Sequence, residues 1–120
     1  MKLKIALAAL LLGFCIACGS DNSPTNPTPT GNGTPVSIVA NSSNLTTNAY
    51  SPNPINVSVG GSVTWTNNDN TTHTSTSNTG VWDSAVIAPG GRFTMTFPNA
   101  GSFPYHCTLH PGMVGTVNVQ

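Results

Sequence analysis

Short stretches of this chain alternate apolar and polar residues with a period of two, and each ends in a turn rich in Gly, Pro or Asn. Val36 and Ile38 open the pattern, and Ile55, Val57 and Val59 repeat it before Gly60-Gly61. Val63 and Trp65 continue it between Ser62, Thr64 and Thr66, until Asn67-Asn68-Asp69-Asn70 closes the run with turn-forming residues. His73 begins the next strand. Phe93, Met95 and Phe97 follow a Pro89-Gly90-Gly91 turn, then Phe103, Tyr105 and Cys107 share a face, as do Met113, Gly115, Val117 and Val119. A period of two sends successive side chains to opposite faces, so each stretch buries its apolar side only against a second layer. No helical period competes with it. The expected fold class is therefore all-β, a Greek-key β-sandwich of two antiparallel sheets packed face to face. The alternation also turns Cys107 and Met113 toward the same interior.

The first residues follow a different rule. Lys2 and Lys4 precede the apolar run Ile5 to Leu12, which is too short to cross a bilayer comfortably, and small residues follow. Cys15-Ile16-Ala17-Cys18-Gly19-Ser20 resembles a bacterial lipoprotein box, with Cys18 as the lipidation site and Cys15 as a poorer second candidate. An ordinary cleaved signal is the alternative. Residues 1–17 are read as a lipoprotein signal peptide, 18–35 as the lipidated cysteine with a flexible Pro/Thr/Asn-rich tether, and 36–120 as the folded domain. The tether, spaced by Pro24, Pro27 and Pro29, has no composition for a core. These readings place the protein on the periplasmic or cell-surface face of a bacterial membrane, held through lipid on Cys18.

Charge and cysteine usage narrow the function. Charged residues make up 5% of the chain, and beyond the signal they are Arg92 against Asp21, Asp69 and Asp83. No basic patch is available for a nucleic-acid backbone, so nucleic acid is excluded as a partner. With Cys15 and Cys18 at the export signal, Cys107 has no partner for a disulfide within the domain. A lone thiol in an oxidising compartment is either buried and inert or occupied by a metal.

The segment Tyr105-His106-Cys107-Thr108-Leu109-His110-Pro111-Gly112-Met113 favours the metal. It spaces a thiolate, an imidazole and a thioether at three-residue intervals within one strand-loop-strand turn. Thiolate and imidazole suit copper or zinc, and the added thioether points to copper. His73, at a strand start just past a turn, is the remaining histidine placed to complete the set. His106 points opposite to Cys107 along the strand and is read as a surface residue. Taken singly, Cys107 and Met113 read as core residues and the histidines as ordinary polar residues; their joint spacing favours a site. Met95, Trp65 and Trp82 are read as packing residues.

With these residues in view, the domain resembles a cupredoxin, nearest to the plastocyanin, pseudoazurin and amicyanin group. Tyr50-Ser51-Pro52-Asn53-Pro54-Ile55 and Val59-Gly60-Gly61-Ser62-Val63-Thr64-Trp65-Thr66-Asn67-Asn68 are similar to that group's opening strands, and Trp82-Asp83-Ser84 to its central segment. The compact Cys-x-x-His-x-x-Met loop is similar to that of amicyanins. The resemblance implies one type 1 copper ion, with His73, Cys107 and His110 as a trigonal set and Met113 as a long axial contact. Thr74 stands where the family commonly has Asn beside the first ligand. Its contact with Thr108 is open between direct, water-bridged and absent, while its backbone N–H is placed to reach the cysteine sulfur.

The implied function is single-electron transfer between redox proteins by a monomer, with His110 at the port inside an apolar patch of Leu109, Pro111 and Gly112. An enzyme is disfavoured, because a copper with every position filled by protein leaves none for substrate. The alternatives are a periplasmic copper-binding or delivery protein, which favours more exposed Met and His than this chain offers, and a metal-free structural sandwich.

Overall fold

The computed structural model describes residues 33–120; the signal peptide, Cys15, Cys18 and most of the tether lie outside the described residues. Strands β1 (Thr34–Ile38), β2 (Tyr50–Ser51), β4 (Ser62–Asn67) and β6 (Arg92–Thr96) form one sheet in the order β2-β1-β4-β6. Strands β3 (Ile55–Val57), β5 (Thr76–Ser77), β7 (Gly101–His106) and β8 (Val114–Val119) form the other in the order β3-β8-β7-β5. From β3 to β7 the chain changes sheet at every step, the cross-sheet path of a Greek-key sandwich. β1 already includes Thr34 and Pro35, residues the sequence placed in the tether.

The burial follows the alternation. Along β4 Val63, Trp65 and Asn67 are fully buried while the residues between them are partly exposed, and β8 repeats this with Gly115, Val117 and Val119 inward. Trp65 bridges the two layers: its ring packs on Phe93 of its own sheet at 5.8 Å and edge-on to Tyr105 of the opposite sheet at 5.4 Å between centroids. Trp82 completes the cluster against Trp65 and Phe97, its indole N–H donating to the Ser75 hydroxyl at 3.1 Å. Gly115 lies opposite Tyr105 in the β7–β8 ladder, and a Cβ there would overlap the Tyr105 ring. Only glycine leaves room for that ring against the strand.

Three features depart from the sequence reading. Both sheets are mixed rather than antiparallel: β1 pairs parallel with β4, and β3 with β8. Parallel neighbours need a crossover connection, which here the visits to the opposite sheet provide. Val59 does not share the buried face of Ile55 and Val57 but is 52% exposed. β3 ends at Val57, and the turn from Ser58 to Gly61, closed by a 2.8 Å backbone bond with Gly60 at φ 83°, rolls Val59 outward. Finally, His73 does not begin a strand; it makes an isolated bridge with Ile87, and β5 starts at Thr76.

Candidate metal site

The β7–β8 hairpin carries most of the site on its tip. Cys107 follows the last residue of β7 and Met113 precedes the first of β8, and the ladder is extended by one bond from Cys107 N–H to the Met113 carbonyl at 3.0 Å. Inside that closure Met113 N–H donates to the His110 carbonyl at 2.8 Å, which folds residues 108–112 into a compact loop. Because Tyr105 and Gly115 face inward as a pair, the next inward pair is Cys107 with Met113, and both are fully buried. The two sulfur side chains therefore share the interior side of the hairpin tip.

His73 reaches this tip from a different part of the chain. Its backbone is held by two bonds to Ile87, at 3.2 and 2.8 Å, and its ring is fully buried. The ring Nδ1 lies 3.8 Å from Cys107 Sγ, and the Nδ1 of His110 lies 3.7 Å from the same sulfur. The donor atoms of His73, Cys107 and His110 all fall within 4.8 Å of one another. His110 is the partly exposed member of the three. His106 faces away, with its ring bonded to the Asn78 side chain.

These separations suit a single ion. A sulfur and a nitrogen bonded to a common metal at about 2.3 and 2.0 Å, with a roughly trigonal angle between them, stand about 3.7 Å apart. Both observed S···N distances agree. The donor set, one thiolate and two imidazoles with a buried thioether beside them, matches the preferences of copper. The residues present fit that metal.

Thr74 settles the open contact to the loop. Its hydroxyl oxygen accepts the Thr108 backbone N–H at 2.9 Å and lies 3.3 Å from the Thr108 hydroxyl, so the link is direct. Its own backbone N–H donates to Cys107 Sγ at 3.3 Å. The Thr74 carbonyl is in turn gripped by the Tyr50 hydroxyl at 2.6 Å, and burial pushes that phenol's pKa up, with the neighbouring Cys107 and Tyr105 adding to the shift.

Two residues here were not singled out by the sequence. The carboxylate of Asp69 contacts His73 Nε2 at 2.8 Å, and the Ser42 hydroxyl stands 3.1 Å from the same nitrogen. The hydrogen bond from His73 holds the Asp69 carboxyl well below the usual carboxylate range, against the opposing effect of burial. Asp69 reads locally as one more turn residue, and its separation of four positions from His73 was the available signal. Ser42 carried no signal.

A family model described as a cupredoxin-like domain matches residues 7–119. The chain belongs to that family. Among curated proteins, this cupredoxin is 34% identical to amicyanin of Paracoccus denitrificans over 76 residues, covering 59% of this chain. It thus spans 58% of that relative's length. Among solved structures it is similar to a purple cupredoxin from Nitrosopumilus maritimus, at 32% identity and a TM-score of 0.67, over 72% of this chain and 99% of that one. It is also similar to a reduced Cu(I) form of an amicyanin variant, at 27% identity and a TM-score of 0.63, over 78% of this chain and 87% of that one. The sandwich expected from the sequence is the fold these relatives share.

Proposed function

We propose that this cupredoxin holds one copper ion through His73, Cys107 and His110, with Met113 as a weaker axial contact, and passes single electrons between redox proteins. The observation that carries this reading is the convergence of two Nδ1 atoms on one buried thiol at 3.7 and 3.8 Å. Bound copper would supply a one-electron Cu(I)/Cu(II) couple. The chain's own part is to keep the donors still. His73 is fixed by its bridge to Ile87, Cys107 and Met113 by the closed end of the hairpin, and the loop by Thr74. Donors held this way from separate parts of the chain need little rearrangement when the metal charge changes.

The way in and out is through His110. Cys107, His73 and Met113 are fully buried, so the His110 ring is the ligand edge nearest solvent. Leu109 beside it is 48% exposed, and Pro111 and Gly112 are exposed too. This small apolar collar suits brief contacts with redox partners, since little area is buried and little holds the complex together. A donor set filled by protein leaves no position for a substrate, which favours a carrier over an enzyme. The lipid anchor on Cys18 and a periplasmic or cell-surface location complete the reading. They rest on the sequence motif, as Cys18 lies outside the described residues.

The test is the visible spectrum of the whole chain after addition of Cu(II), before and after ascorbate, with Cys107→Ser in parallel. An intense copper–thiolate band that is bleached by reductant and missing from the variant supports the proposal. Colourless binding that surrenders its copper to a chelator points instead to delivery, and no binding refutes both.

A further inference from the structure

The buried carboxylate behind His73 has a consequence for the metal, and this consequence rests on the function proposed above. Asp69 is 6% exposed, yet among the described residues no Lys or Arg side chain pairs with it. Its oxygens are instead satisfied locally. Oδ1 accepts the backbone N–H groups of Asn41 at 3.0 Å and Asn70 at 2.8 Å, and Oδ2 accepts the Ser42 hydroxyl at 3.3 Å and meets His73 Nε2 at 2.8 Å. The backbone N–H of Asp69 is itself tied to the Asn67 side chain at 2.9 Å, and the Asn67 amide bonds to the Thr71 and Ile87 carbonyls. The carboxylate is thus held from several elements and directed at one ring nitrogen.

An ionised carboxylate only accepts hydrogen bonds. In the neutral ring, the form that binds a metal, His73 Nε2 must therefore carry the proton, which leaves Nδ1, the atom 3.8 Å from Cys107 Sγ, with a free lone pair. A neutral carbonyl at Nε2 would fix the same tautomer. A carboxylate does more, because it places a negative charge one imidazole away from the metal, inside a shell where screening is weak. We infer that Asp69 is a positioning residue for the metal centre: it locks His73 in the Nε2–H form and, as a buried anion, favours the oxidised over the reduced metal.

Two measurements on the whole chain test this. The first is the reduction potential of the copper-loaded protein, followed through the copper–thiolate band in wild type, Asp69→Asn and Ser42→Ala. Asp69→Asn keeps the shape and an acceptor oxygen but removes the charge, so at a fixed ambient potential the Cu(I)/Cu(II) ratio is expected to rise about tenfold, equivalent to about 59 mV for a one-electron couple. Ser42→Ala removes a hydrogen bond from the same cluster and no charge, and is expected to move the ratio by less than about threefold. A potential unchanged or lowered in Asp69→Asn, or an equal rise in Ser42→Ala, overturns the charge effect. The second measurement needs no metal. Nitrogen-15 NMR of the metal-free wild-type ring at pH 8 is expected to show a proton on Nε2 and none on Nδ1, and a proton on Nδ1, with or without one on Nε2, overturns the positioning role. A wild-type chain that binds no copper but shows the Nε2–H tautomer refutes the electron-transfer reading while supporting the role of Asp69 in orienting His73.

Discussion

Replacing Thr74 by Val removes one hydroxyl while keeping the branched shape of a side chain that is 3% exposed. Three groups lose a partner: the Thr108 N–H at 2.9 Å, the Thr108 hydroxyl at 3.3 Å and the Thr76 hydroxyl at 3.0 Å. The two hydroxyls sit on partly or fully exposed residues and can rotate toward water at little cost. The backbone N–H cannot turn away, so it dominates the balance. Losing such a bond, with its donor partly desolvated, costs about 1–2 kcal/mol. For a domain of this size the urea m-value is about 1–1.5 kcal/mol/M, so the unfolding midpoint of the metal-free chain should fall by about 1 M at constant m. The bond from Thr74 N–H to Cys107 Sγ uses a backbone donor and survives the substitution, so Cys107 stays in place while the loop beyond it loosens. Hydrogen exchange reads this directly: the Thr108 amide should lose protection while the Thr74 amide keeps it. A midpoint lowered by less than about 0.3 M, with Thr108 protection unchanged, would refute the idea that this hydroxyl ties the ligand loop to the sandwich.

Gly115→Ala should destabilise the chain by about 1–3 kcal/mol, since the new methyl overlaps a Tyr105 ring boxed in by Tyr50, Trp65 and Trp82; a urea midpoint equal to wild type would show that the ring has room to move. The buried phenols of Tyr50 and Tyr105 both have pKa values pushed up, chiefly by burial. The folded state therefore binds their protons more tightly than the unfolded state. Their contribution to stability is complete below the ordinary tyrosine value of about 10 and is lost as pH rises above it. Tyrosinate absorbance and loss of circular dichroism are expected to rise together in alkaline titration, and ionisation well ahead of unfolding would contradict the burial.

The side-chain register of the metal hairpin was readable from residues alone. A period of two is a local property of an extended backbone, so the run Met113, Gly115, Val117 and Val119 shows its inward face without knowledge of any neighbour. The same holds for Tyr105 and Cys107, and for His106 on the opposite side. Where the extended backbone stopped was less legible. Val59 continued the alternation on paper, but the turn at Gly60 ended it first, because a turn bond is formed between residues the period does not describe.

Which strands became neighbours was a tertiary decision. Alternation states which face is buried and not against what, so the parallel pairings of β1 with β4 and of β3 with β8 had no signature in any single segment. The site divides in the same way. Cys107, His110 and Met113 lie within seven positions and belong to one loop, so their spacing announced them. Ser42 and His73, 31 positions apart, meet only because β1 and β4 lie side by side and their following turns pack together. Asp69 looked like any turn residue in an Asn-rich run, and its chemistry arose only when folding removed water from around it and put an imidazole in its place.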